Sequence, residues 1–434
     1  MDQRPETRAA ANAGVASVAT LRKTAVWVLV VQCLLALSWT MYVLFLPGML
    51  AAANIDKRWF IYVLISDQII FAACDWWAGV YADRIAAVWK RLGRLIIAVT
   101  MLSSAALLAM PWIAQTGSAI LLLGVIYVWA ATSSALRAPV FSLLGRVRED
   151  AREVGRGGAG RARRAGMVSM ALVGISLAGA VGPYLTLLLK SVDSRLPIAV
   201  SAIALALAGL WATRAEALLP RQTDVAIAGD SPSPVPERDQ RRRSLSLAGT
   251  VLIAAFGTQL LTAVVAQPLY KPFVGADAVV WVAWFWVGFG LGLIPGARIA
   301  ASHRALIGAS IAIALAWIAF AVGANSTSFV MLVIGTAVAG AGWGVFSTVV
   351  FSSAVSLSSG RASVRGAGTA SGMVFSAIAI ATFLRMICTA TGFAKTPTIV
   401  WLPEIAWALA SVLLIVLART VWRNQTEGPP PSSS

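Results

Sequence analysis

A chain of 434 residues that is 59% hydrophobic and only 12% charged, with a mean hydropathy of +0.79, has too few polar side chains to cover a soluble globule of its size. A net charge of +17 would suit a nucleic-acid partner in a soluble protein. Here the arginines and lysines stand in short segments between apolar runs, the pattern of membrane topology and of contact with anionic lipid, so nucleic acid is excluded and an all-α polytopic membrane protein remains.

In chain order, Met1 to Thr20 is polar and Ala-rich, and the apolar run behind it is too long for a signal-peptide core, so it is read as a retained span. A bilayer is crossed by about 20 mostly apolar residues. Twelve runs qualify, at about 24–50, 59–80, 95–113, 119–143, 166–189, 196–213, 247–267, 278–297, 305–323, 327–351, 367–391 and 398–418. An even number puts both termini on one side. Between the sixth and seventh runs lies the longest interruption, with Ser-Pro-Ser-Pro-Val-Pro from Ser231 to Pro236 and a mostly arginine run from Arg238 to Arg243. Such a segment buries too little to fold and reads as a flexible linker. The expected organisation is therefore an N-terminal tail (1–23), a six-helix bundle (24–219), a linker (220–246), a second six-helix bundle (247–418) and a disordered tail (419–434), with tails and linker cytoplasmic.

The basic residues set the orientation. Alternate connections collect Arg22, Lys23, Arg84, Lys90, Arg91, Arg94, the run from Arg146 to Arg164, Arg214, the run from Arg238 to Arg243, Arg298, Arg304, Arg361, Arg365 and Arg419. The opposite connections hold only Lys57, Arg58, Lys190, Arg195, Lys271 and Lys395. By the positive-inside rule both termini face the cytoplasm, in a style that suits a bacterial inner membrane. Cys33, Cys74 and Cys388 all fall inside apolar runs and act as small hydrophobes, with no disulfide framework and no metal-ligand spacing.

The second run carries two acids, Asp67 and Asp75, at membrane depth. A charge there costs several kcal/mol and is kept mostly where it meets a partner charge, a bundle interior or a water-filled path. Eight residues apart, the two sit about 80° apart around the helix, on neighbouring faces. Each is either neutralised in place by an arginine or takes up and releases a proton. Arg137 is level with Asp75 and either pairs with it or snorkels to the interface, Pro139 behind it ending or kinking that helix; Arg385 is level with Asp67.

The run then empties into a turn from Gly79 to Arg84. Twelve spans, their division into six and six, and this Gly79, Asp83, Arg84 spacing together resemble the major facilitator superfamily. Its loop signature continues with two residues, a glycine and basic residues; here Ile85 to Lys90 intervenes before Arg91, Leu92, Gly93 and Arg94, a stretched version. A second signature is similar to Gly174, Gly179, Gly182 and Pro183 on the fifth span, although Tyr184 to Leu187 replaces its terminal glycines. The resemblance implies two six-helix bundles that rock about a central site. It further implies that Asp83 meets a helix end of the other half when the protein faces outward, that Asp67 and Arg385 pair across the halves as a gate, and that the cavity is lined by spans 1, 4, 7 and 10. On those spans Gln32, Trp39, Tyr127, Thr132, Ser133, Thr258, Gln259, Thr262, Trp343 and Ser347 are the candidates, an aromatic and neutral-polar set that suits an amphipathic organic molecule. Trp59, Trp112, Trp281 and Trp401 read as interfacial belt residues.

Enzyme readings fail on residue inventory. His303 is the only histidine, which removes His-based metal sites and Ser-His hydrolysis, and no phosphate loop is present to use ATP. No cofactor is implied. The expectation is a monomeric secondary transporter for a small molecule, coupled to protons, with membrane lipid around it; the resemblance of the Gly182-Pro183 element to the superfamily's second signature implies export. The alternatives are a transporter-shaped sensor or assembly partner without flux, and a lipid flippase.

Overall fold

The structure, a computed structural model, describes residues 18–88, 92–146, 159–217, 237–357 and 367–426. Among these, twelve helices are long and apolar enough to cross a membrane. They are α1 (Val18–Ala52), α2 (Phe60–Val88), α3 (Leu92–Ala114), α4 (Ala119–Ser142), α5 (Ala159–Leu189) and α6 (Arg195–Gly209, continued by Ala212–Ala217). The second set is α7 (Glu237–Leu260, continued through Ala266–Val274), α8 (Ala283–Ala300), α9 (Ala305–Ala324), α10 (Phe329–Leu357), α11 (Ala367–Ala390) and α12 (Leu402–Thr426). Their outer surface is as apolar as their core: Ile120, Leu188, Leu207, Leu291 and Val330 all project outward exposed. On a soluble protein that much exposed apolar surface would aggregate; around a bundle in lipid it is the wetted face.

The packing repeats with a period of six helices. In the first half α1 packs on α5 and α6, α2 on α4, and α3 on α4 and α6. In the second half α7 packs on α11 and α12, α8 on α10, and α9 on α10 and α12, the same pairs advanced by six. The two halves meet through α2 on α11 and α5 on α8, which the same shift interchanges. The chain thus forms two equivalent six-helix bundles joined across a pseudo-two-fold axis.

Close helix approach in the second half follows from glycine. A Cβ on Gly340 or Gly344 would overlap the Phe285 or Phe289 carbonyl, and one on Gly288 or Gly292 would overlap the Ala337 or Ala341 carbonyl, so α8 and α10 lie backbone to backbone. Between α7 and α8 the chain turns at Gly275, whose φ of 60° and ψ of −124° suit only glycine. Within α7, residues Leu261–Val265 form a π-helical turn, the kind of local widening that tends to accompany functional sites.

Several boundaries differ from the sequence reading. The segment from Gly79 to Arg84 is helical, not a turn, because α2 runs on to Val88 with its glycine set against a neighbouring helix. Residues from Glu237 onward, expected in the linker, already belong to α7, since arginines and glutamine are good helix formers once the prolines are passed. Likewise α12 extends to Thr426 into the expected tail. Pro139 sits inside α4, which runs to Ser142 in keeping with the expected span. Lys90, Arg91, the Gly-rich part of the 146–164 loop, Arg361, Arg365, residues 218–236 and most of both tails lie outside the described residues.

Candidate functional site: a cavity between the halves

A cavity of about 390 Å³ lies at the centre of the bundle. Its walls come from α1, α2, α4 and α5 and from their images α7, α8, α10 and α11; among the described residues the other four helices contribute nothing to it. That is the volume of a small organic ligand. The lining includes Trp39, Trp129, Trp286, Trp343, Phe71, Phe289, Phe351 and Phe375, interrupted by Gln32, Gln68, Gln259, Thr258, Thr262, Thr382 and two arginines, Arg137 and Arg385.

Arg137 is compensated. Its Nε donates to Asp75 Oδ1 at 3.1 Å and its Nη2 to Asp75 Oδ2 at 2.6 Å, a bidentate pair in which Asp75 is fully buried. The guanidinium also lies 4.9 Å from the Phe71 ring centroid and 5.5 Å from that of Phe375, which comes from the other half. Arg137 is thus an ion-pair member set against two aromatic rings, so of its two readings the structure shows pairing with Asp75 and not snorkelling.

Asp67 is equally buried but its environment is different. The Tyr42 hydroxyl donates to Oδ2 at 2.7 Å, and Oδ1 is buried without a hydrogen-bond partner. Tyr42 itself is held by Trp129 at a 4.5 Å ring separation, and Trp129 stacks on Trp39 at 6.1 Å. Arg385 lines the cavity and makes no ion pair among the described residues, with its Nε buried and unpartnered. The expected Asp67 to Arg385 pair is therefore absent in this conformation: the tyrosine has taken the carboxyl toward α1, while the arginine faces the void.

Of the other cavity candidates, Gln32, Trp39, Ser133, Thr258, Gln259, Thr262, Trp343 and Ser347 all line it. Tyr127 and Thr132 do not. Tyr127 instead accepts from Ser66 Oγ at 3.2 Å, and Thr132 bonds back to the Val128 carbonyl at 2.7 Å. On α4 the face that meets the cavity runs through Trp129, Ser133, Ser134 and Arg137, and at 100° per residue positions 127 and 132 fall to either side of it.

The basic end of the bundle, where α2 finishes and α11 begins, is sealed between the halves. Asp83 accepts from Gly368 N at 2.8 Å, Thr369 N at 2.7 Å and Thr369 Oγ1 at 2.7 Å, capping α11 from across the interface. Gly79 permits this: a Cβ there would overlap the Gly368 carbonyl and press on Gly372. Above the cap, Phe141, Phe351 and Phe375 pack together at ring separations of 4.9 to 5.4 Å. Arg84 and Arg94 are exposed beside it. A second carboxylate at this end works within one half, Glu216 accepting from Leu92 N and Gly93 N at 3.1 and 2.7 Å at the start of α3.

The glycines of α5 serve different neighbours. Gly174 lets α1 approach until its Cβ would overlap the Leu29 carbonyl, Gly179 holds the Trp286 indole of the other half, and Gly182 has only ordinary contact with Thr40. Pro183 lies within the helix one residue on. Alongside them Ser169 Oγ donates to the Leu293 carbonyl and Ser176 Oγ to the Trp286 carbonyl, both at 2.8 Å, so two hydrogen bonds cross from α5 to α8.

No family model and no curated protein sequence matches this chain. Solved structures do. The human organic anion transporter MFSD10 (TETRAN) superposes with a TM-score of 0.64 at 14% identity, covering 92% of this chain and 99% of that one. FucP, a major facilitator superfamily transporter in the outward conformation, gives 0.65 at 13% identity over the same shares, and a variant of the E. coli fucose:proton symporter FucP gives 0.64 at 13%. This chain has the major facilitator superfamily transporter fold.

Within the major facilitator fold the sequence reading missed several groups that build the site. Tyr42 escaped notice as the partner of Asp67, although it stands one turn beyond Trp39 on the same helix. Ser134, three residues before Arg137, bonds the Phe71 carbonyl at 3.0 Å and so fixes α4 against α2 beneath the ion pair. Trp286 and Phe375 come from helices outside the expected lining set, and only their contacts reveal them.

Proposed function

We propose that this protein is a secondary active transporter that carries a small amphipathic organic molecule through the membrane by alternating access, coupled to proton movement. The observation that carries the reading is a cavity walled by four helices of each half, beside a buried acid that has one partnered and one unpartnered oxygen. Rocking of two equivalent halves about a midplane site is the mechanism such symmetry supports. Asp67 is the proton-carrying group in this scheme. Asp75 is already committed to Arg137 in a bidentate pair, whereas Asp67 has a neutral tyrosine and no cation, an arrangement that favours a carboxyl exchanging a proton when the halves shift.

Arg385 and Asp67 become partners only in the alternative conformation. The sealed end, with Arg84, Arg94, Arg298 and Arg304 exposed near it, faces the cytoplasm of a bacterial inner membrane in this reading, and the protein works as a monomer. The Gly182-Pro183 element of α5 favours export. The likeness to FucP, named a fucose:proton symporter, supports the proton coupling.

The test is flux. A thermal-shift screen on purified protein supplies a ligand, and proteoliposomes loaded with it are compared with and without a pH gradient. Gradient-dependent movement is expected for the native chain and is expected to disappear in Asp67→Asn while the ligand still binds. Gradient-dependent flux that survives this substitution would assign the proton elsewhere, and no flux of any screened ligand would remove the transport reading.

A further inference from the structure

The inference rests on the transporter reading and concerns what the cavity takes. Among the described residues the lining contains no aspartate, glutamate or lysine, and its two charges are arginines. Arg137 is neutralised by the bidentate Asp75 pair. Arg385 is not: no carboxylate lies within ion-pair distance, and its Nε is buried with no acceptor. A second donor is in the same state, for Gln32 is 2% exposed, lines the cavity, and its Nε2 has no partner. Buried donors left open are expensive, and the natural remedy is an acceptor supplied from outside the chain.

We infer that the cavity binds an amphipathic organic monoanion, whose carboxylate is held by Arg385, with Gln32 as a neutral donor to the ligand, and whose body lies among Trp39, Trp286 and Trp343. A guanidinium fork matches a carboxylate with two parallel hydrogen bonds, a geometry neither an amide nor an amine can return. Asp67, an acid at membrane depth, is engaged by Tyr42 at 2.7 Å and makes no ion pair with the arginine. The aromatic walls select against small hydrophilic anions, because desolvating a fully polar ligand among tryptophans returns nothing. The single uncompensated charge selects against dianions in the same way.

The experiment uses the purified full-length protein in detergent, without any gradient, and three ligands of one shape: naphthoate, naphthamide and naphthylmethylamine. Affinities are measured by calorimetry and by thermal shift. Naphthoate is expected to bind about ten- to a hundredfold more tightly than the amide, the range a charge-assisted hydrogen bond gives, and the amine most weakly. Arg385→Gln should bring the carboxylate's affinity down to that of the amide, Arg385→Lys should keep part of the preference, and Arg298→Gln, at the exposed basic end, should leave it whole. Melting of each variant without ligand verifies folding. Equal affinities, preference for the amine, no binding by any of the three, or a preference that survives Arg385→Gln would each overturn the inference. A chain that shows gradient-driven flux yet fails here refutes the anion class alone; one that binds naphthoate through Arg385 yet shows no flux refutes the transporter reading alone.

Discussion

Replacing Asp83 with alanine should release the seal at the basic end. The carboxylate makes three hydrogen bonds to the first turn of α11, two of them to main-chain N–H groups, and it is the side-chain cap of a helix in the opposite half. Loss of an N-cap costs about 0.5–2 kcal/mol, and the charge at a helix N-terminus adds about 0.3–1 kcal/mol. Together these give about 1–3 kcal/mol, all of it drawn from the conformer in which the two halves touch at this end. A coupling of that size moves the ratio of sealed to open molecules by about 5- to 150-fold. Spin labels at Arg94 on α3 and Arg298 on α8, both exposed and one in each half, should report a longer distance in a larger fraction of molecules. Hydrogen exchange at Gly368 and Thr369 should quicken in parallel. Glu216→Ala removes a cap of the same chemistry from within one half, so it should lower the melting temperature without lengthening the distance. An Asp83→Ala variant with faster exchange but an unchanged distance distribution would show that the cap is local and that the seal is held elsewhere.

Two further outcomes test the packing. Arg137→Gln leaves Asp75 ionisable, wholly buried and unpaired, and should destabilise the protein by about 3–5 kcal/mol, whereas adding Asp75→Asn should recover most of the loss in thermal or denaturant melts. Gly340→Ala drives a methyl group into the Phe285 backbone and should cost about 3 kcal/mol or more; Gly124→Ala, which meets nothing within 4 Å, should be neutral or stabilising by a few tenths, both read from melting temperatures.

The twelve spans, their split into six and six, and the importance of α2 are legible in the sequence, because hydropathy and charge alternation are one-dimensional signals. The Asp75 to Arg137 pair is legible only as one of two outcomes, since an arginine near a helix end can equally snorkel to the interface, and the structure decides for pairing. What is not legible is helix rotation. Whether Asp67 meets Tyr42 or Arg385 depends on how α1, α2 and α11 turn about their own axes. Tyr127 and Thr132 left the cavity for that reason, and Trp286 entered it. The extension of α2 through Asp83 was hidden by its glycine, which in isolation signals a break and in place admits another backbone.

The serines between α5 and α8 have a mechanical meaning. Each hydroxyl borrows the second lone pair of a carbonyl that already serves its own helix, and the two donors are seven residues apart, as are the two acceptors. If one helix slips along the other, a serine that lets go strands no main-chain oxygen, and another carbonyl is on offer a turn away. Polar friction along this pair of helices is therefore low.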